Sequence, residues 1–255
     1  MKKSKFFISI ISILLCLLLC SCGDITNKFW SYVSNGEFSV GCTENTVYLY
    51  DKDNNQIAKF KDIDYCYTPM ISPSGELFAV KSTEGKFAVY SLESFSLIKK
   101  FSTSKIDYSQ DDGFCFSPDG KFLINIERQK DELHSAISVY DTTDFSLVEQ
   151  VFVDDNMMID KIEYDKISNT YYVLGFMRDK DLIFTNGFVA VLKDYQIKNI
   201  VKISEEDYGF YQSYKNLELM GFTNKAYKWS YMDQSLEELK NMKLTLKDLY
   251  DKYNK

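Results

Sequence analysis

Ile71-Ser72-Pro73-Ser74-Gly75-Glu76-Leu77-Phe78-Ala79-Val80 and Phe116-Ser117-Pro118-Asp119-Gly120-Lys121-Phe122-Leu123-Ile124 are two copies of one pattern. Each reads as the end of one strand, a Ser-Pro-x-Gly turn and a second, apolar strand. Proline sets φ at the second position of such a turn, and glycine supplies the permissive backbone at its end. Working outward, Lys86-Phe87-Ala88-Val89-Tyr90-Ser91 aligns with Ala136-Ile137-Ser138-Val139-Tyr140-Asp141 and, upstream, with Thr46-Val47-Tyr48-Leu49-Tyr50-Asp51. Phe95-Ser96-Leu97-Ile98 then matches Phe145-Ser146-Leu147-Val148. A fainter copy runs through Tyr171 to Gly175, Phe188 to Leu192 and Gln196 to Ile200.

Tyr50, Tyr90, Tyr140 and Leu192 hold equivalent places, 40, 50 and 52 residues apart. Self-similarity at that period, with about four short strands per unit, is the signature of a β-propeller. The units resemble blades of the WD-repeat and YVTN-type propellers, in which a Ser-Pro-Asp-Gly turn joins the first and second strands. Tyr50-Asp51 and Tyr140-Asp141 stand where that family ends its third strand with Trp-Asp. Gly-His and the Trp are missing here, and the fourth copy lacks both Pro and Asp. The resemblance spans roughly residues 36–203 and implies fold far more than function. The expectation is an all-β chain: a small β-propeller of four to five blades, each a four-stranded antiparallel sheet. The blades are placed at 36–61, 64–102, 110–153, 158–203 and 208–232. The first unit is short, so closure by strands shared between the termini and an open, incomplete arc are both considered.

The N-terminus reads as a targeting segment. Lys2, Lys3 and Lys5 precede an apolar run from Phe6 to Leu19, the length of a secretory h-region and short of the roughly 20 residues of a spanning helix. Leu19-Cys20-Ser21-Cys22-Gly23 resembles the bacterial lipobox. That resemblance implies cleavage after Ser21 and a diacylglycerol on Cys22, and two acyl chains anchor stably where one does not. The alternative is an uncleaved anchor helix. The domain expectation is therefore a lipoprotein signal peptide at 1–21, lipidated Cys22 and tether at 22–35, propeller at 36–232 and a helical tail at 233–255. In the tail, Ser235 with Glu238 and Thr245 with Asp248 resemble helix-starting caps.

Composition narrows the function. The 255 residues carry a net charge of −7, which becomes −10 once residues 1–21, with three lysines and no acids, are gone. Such a surface disfavours nucleic acid and anionic lipid, so the lipid itself holds the chain on the membrane. His134 is the single histidine, which leaves a histidine-rich metal site or a Ser/His/Asp enzyme hard to build. Asp51, Asp53, Asn55 and Asp62 echo a calcium loop, but Gln56 replaces the needed Gly, and a polar hairpin turn is expected. No phosphate-binding loop, dinucleotide fingerprint or hydrolase motif is present, so neither an enzyme nor a cofactor or metal is expected. The mature chain keeps Cys42, Cys66 and Cys115. Buried free thiols are expected, with at most one internal disulfide.

Aromatics are abundant, with 19 Tyr and 19 Phe. Most should pack between blades. Tyr208, Phe210, Tyr211 and Tyr214, following the acidic run Glu205-Glu206-Asp207 in an expected loop, are the candidate binding residues. The sequence thus predicts a non-catalytic scaffold on the extracytoplasmic side of a bacterial membrane, binding a protein or envelope partner. A lipid-anchored hydrolase or lactonase-like propeller, or a solute- or glycan-binding lipoprotein, is the alternative.

Overall fold

The computed structural model describes residues 29–103, 113–128, 135–154, 156–165, 169–179 and 184–202. Beyond them it describes the strands at 210–214, 218–221, 226–230 and 235–238 as backbone only. Among the described residues twenty strands form five four-stranded antiparallel sheets, each built from four consecutive strands. The first holds β1 (Ser31–Ser34), β2 (Phe38–Thr43), β3 (Thr46–Asp51) and β4 (Gln56–Phe60). The second holds β5 (Cys66–Ile71), β6 (Leu77–Ser82), β7 (Lys86–Ser91) and β8 (Ser96–Ser102). The third holds β9 (Phe114–Phe116), β10 (Phe122–Arg128), β11 (Ser135–Asp141) and β12 (Leu147–Phe152). The fourth holds β13 (Met157–Asp165), β14 (Thr170–Arg178), β15 (Phe184–Lys193) and β16 (Gln196–Lys202). The fifth holds β17 (Phe210–Tyr214), β18 (Glu218–Gly221), β19 (Ala226–Ser230) and β20 (Ser235–Glu238).

The two Ser-Pro-x-Gly segments form the same turn between first and second strands. The Gly75 amide donates to Ser72 O at 2.9 Å and the Gly120 amide to Ser117 O at 2.8 Å, and both glycines sit at φ +73°. Each serine hydroxyl then accepts the amide five residues on, Leu77 at 3.1 Å and Phe122 at 2.9 Å.

Middle strands read as nearly continuous apolar runs because both of their faces are covered. In β7, Phe87 and Val89 point into one cluster with Phe114, Leu123 and Tyr140 of the third sheet. Ala88 and Tyr90 point the other way, into a cluster with Val40, Cys42 and Phe60 of the first. Tyr90 is fully buried, its ring 4.7 Å from Phe78 and 4.4 Å from Phe60. Neighbouring sheets approach through their first strands, with β5 against β1 and β2, and β13 against β9 and β10. Fourth strands lie outermost and exposed: β8, β12 and β16 present Ile98, Val148, Phe152 and Ile200 to solvent.

A second repeated device locks the sheets in sequence. Phe95 and Phe145 open the last hairpin of their sheets at φ +52° and +58°, a left-handed backbone that non-glycine residues rarely take. Each ring reaches back to the sheet before it: Phe95 lies 6.3 Å from Phe38, and Phe145 lies 5.6 Å from Phe101. Phe145 is 6% exposed, and the roughly 1.5–3 kcal/mol from burying such a ring offsets the roughly 1–2 kcal/mol cost of its backbone.

Three expectations are revised. The segment 22–35, read as tether, contains β1, which pairs Ser31 with Cys42 through Ser34 with Ser39. Its turn, Ser34-Asn35-Gly36, has no proline: the Asn35 side chain accepts the Phe38 amide at 2.8 Å instead. The first sheet is thereby complete, with no strand shared between the termini. At the other end, Ser235–Glu238 is a strand and not the opening of a helix. Pairing Ser230 with Ser235 and Tyr227 with Glu238 gives the fifth sheet its fourth strand, and a ladder of backbone bonds outcompetes a local cap. The rest of the tail, the leader and residues 22–28 lie outside the described residues. Among the described residues no helix is long and apolar enough to cross a membrane.

Candidate functional site

A groove of about 270 Å³, with both polar and apolar surface in its lining, opens between the outer parts of the third and fourth sheets. Its floor is Ile137, Val151, Val153, Met157 and Ile197, and its lips are Phe152 and Ile200, exposed by 55% and 41%. Asp154, Gln196 and Lys198 supply polar groups at the rim. Both flanking strands, β12 and β16, are the terminal strands of their sheets. Such edges offer unpaired backbone donors and acceptors to an added strand.

The turn leading into β16 is strained. Asp194 and Tyr195 take φ of +50° and +55°, the two-residue hairpin geometry that Asn-Gly normally fills. Tyr195 lines the groove from this turn. Burial pushes its phenol pKa up, assisted by Glu149. A bulky residue held in left-handed backbone costs about 1–2 kcal/mol, and such strain clusters at functional sites.

A buried polar cluster separates the second sheet from the third. Glu127, 2% exposed, accepts from Tyr140 Oη at 2.5 Å, Gln150 Nε2 at 3.1 Å and Asn125 Nδ2 at 3.3 Å. Gln150 also donates to Ser138 Oγ at 2.8 Å. Lys81, 1% exposed on β6, crosses to donate to Ile126 O at 2.9 Å. Burial, with the Glu127 carboxylate beside it, pushes the Tyr140 phenol well above its ordinary range. The carboxylate bonds tie β10, β11 and β12 together within the third sheet, Lys81 supplies the hydrogen bond that crosses from the second, and Asn125 Oδ1 is left buried without a partner among the described residues. The cluster's sequence signal was the period-2 placement of Asn125 and Glu127 inside the apolar strand Leu123-Ile124-Asn125-Ile126-Glu127, with Lys81 a second charge mid-strand. The corresponding signal for the groove was Asp194-Tyr195 in a hairpin position.

The residues singled out from sequence are scattered. Cys22, Tyr208 and His134 lie outside the described residues. Phe210, Tyr211 and Tyr214 are on β17, hydrogen-bonded to β18, and not in a loop. Asp51 forms the expected polar hairpin: its carboxylate accepts the Asn55 side-chain amide at 3.0 Å and the backbone amides of Asn55 and Asp53 at 2.8 and 2.9 Å, which holds its pKa down. Cys42, Cys66 and Cys115 are buried thiols. Among the described residues no group of three or more His, Cys, Asp or Glu could hold a metal ion.

No family model and no curated protein matches the sequence. Solved structures do. Hydrazine synthase from Kuenenia stuttgartiensis has a TM-score of 0.56 at 19% identity, over 76% of this chain and 58% of its own. Dihydro-heme d1 dehydrogenase NirN, in complex with DHE, has a TM-score of 0.56 at 15% identity, over 84% of this chain and 45% of its own. The fold is a β-propeller. This chain spans about half the length of those structures, and at such identity the likeness shows the fold alone. The propeller fold is shared by many unrelated activities, and 1269 solved chains match this one.

Proposed function

We propose that the chain is a membrane-anchored bacterial lipoprotein whose propeller is a non-catalytic scaffold for a protein partner of the cell envelope. The anchor is a diacylglycerol on Cys22, after removal of residues 1–21. The observation that carries the binding role is the groove between the third and fourth blades, flanked by two edge strands. Its occupant is an extended polypeptide segment. Such a segment adds its backbone to the edge of β12 or β16 and places alternate apolar side chains on Phe152, Val151 and Ile200.

The test is a pull-down from detergent-solubilised membranes with wild type, Cys22→Ala and Phe152→Glu in parallel. A partner that binds wild type and is lost with Phe152→Glu supports the reading, and Cys22→Ala then shows whether anchoring is needed to meet it. A partner retained in full by Phe152→Glu sinks the groove as its binding site.

A further inference from the structure

The three thiols fall into two separate interfaces. Cys115 lies in the cluster between the third and fourth blades, with Ile159 and Val173. Cys42 and Cys66 lie together in the cluster between the first and second, both fully buried. Cys42 is in β2, and Cys66 opens β5, the strand that packs on β1 and β2. The Cys66 amide donates to Glu44 O at 3.0 Å, and its Sγ donates to Thr43 O at 2.7 Å, one residue along from Cys42. The Cys66 thiol beside it, together with burial, pushes Cys42 far above its ordinary pKa.

We propose that Cys42 and Cys66 form a disulfide joining the first blade to the second. The inference rests on the extracytoplasmic location proposed above, because disulfides persist in oxidising compartments. The oxidant is a disulfide donor, either a thiol oxidoreductase or a low-molecular-weight disulfide. One cysteine thiolate attacks the donor, forming a mixed disulfide and releasing one donor thiol. The second thiolate displaces the other donor thiol and closes the Cys42–Cys66 bond. The protein gives up two electrons and two protons, and the donor takes them as two thiols. The exchange occurs during folding, before β5 packs on β2 and buries both sulfurs. Cys115 stays reduced, in an apolar interface with no second thiol among the described residues, which accounts for the odd cysteine count.

The test is non-reducing peptide mapping of the full-length protein, extracted from membranes in the presence of N-ethylmaleimide. One spectrum reads both the N-terminal peptide and the cysteines. The expected result is an acylated Cys22 peptide and a Cys42 peptide linked to the Cys66 peptide, two hydrogens lighter than the free pair. Cys115→Ser keeps the link and Cys66→Ser removes it; if Cys66→Ser does not fold, the wild-type map decides alone. Acylated protein with Cys42 and Cys66 both alkylated overturns the inference. A chain that keeps residues 1–21 and lacks the lipid refutes the anchoring instead. Refolding that chain with oxidised glutathione then decides the pair: linkage supports it, and two free thiols overturn it.

Discussion

Removing the Glu127 carboxylate tests how much the buried polar cluster of the third blade contributes to stability. In Glu127→Ala the Tyr140 hydroxyl and the Asn125 amide lose their buried acceptor, while half-buried Gln150 keeps Ser138 at 2.8 Å. Each stranded buried donor costs about 1–3 kcal/mol. Loss of the carboxylate's own desolvation offsets part of the vacated volume. The expected loss is about 4 kcal/mol, a fall of about 8–16 °C in Tm for a chain of this size. Glu127→Gln keeps one acceptor oxygen and costs about 1–2 kcal/mol. A double-mutant cycle of Glu127→Ala with Tyr140→Phe isolates the short hydroxyl–carboxylate bond, with an expected coupling of about 2 kcal/mol. The assay is equilibrium urea unfolding of the purified protein. Equal costs for the Ala and Gln variants, or a coupling below about 0.5 kcal/mol, refute the reasoning.

Tyr90 and Tyr140 are both held neutral, chiefly by burial, with the Asp62 and Glu127 carboxylates adding to it. A phenol whose folded pKa is raised contributes its full stability below the unfolded value near 10 and loses it as pH rises beyond. Stability should therefore hold level through neutral pH and fall above about pH 10 by up to about 2.7 kcal/mol per pH unit for the pair. Tyr90→Phe and Tyr140→Phe should each roughly halve that slope in urea melts at stepped pH. A methyl group on Gly175 would sit 2.0 Å from Met158 O, beside the bulge in β13, so Gly175→Ala should cost more than about 3 kcal/mol in the same assay. Phe152→Glu, on an exposed rim, should leave stability within about 0.5 kcal/mol of wild type while abolishing partner capture.

Sequence revealed the fold wherever a turn carried its own chemistry. Ser72-Pro73 and Ser117-Pro118 located two blades and the period between them, because proline and glycine fix the backbone locally. The first blade was read five residues short because Asn35 does through a side-chain hydrogen bond what proline does elsewhere. Ser235 misled for the reverse reason: a hydroxyl three residues before an acid suits a cap, and nothing local reports that β19 lies within pairing distance. The groove was invisible because its lining comes from β11 to β13 and from β16, segments about 40 residues apart whose apolar residues look like ordinary core. Asp194-Tyr195 carried a signal that reads as strain only once the hairpin is known.

The reach of Phe95 and Phe145 always runs from a later blade to the one before it. Each blade is closed from four consecutive strands, so its pairing needs nothing still to come, and its aromatic clasp fastens onto a surface already made. A chain built this way can fold vectorially, from its N-terminus onward, as it emerges from a ribosome or a translocation pore. The contacts that form first are local ones, which favours speed. Successive blades then act as a ratchet, each lowering the chance that the segment before it slides back.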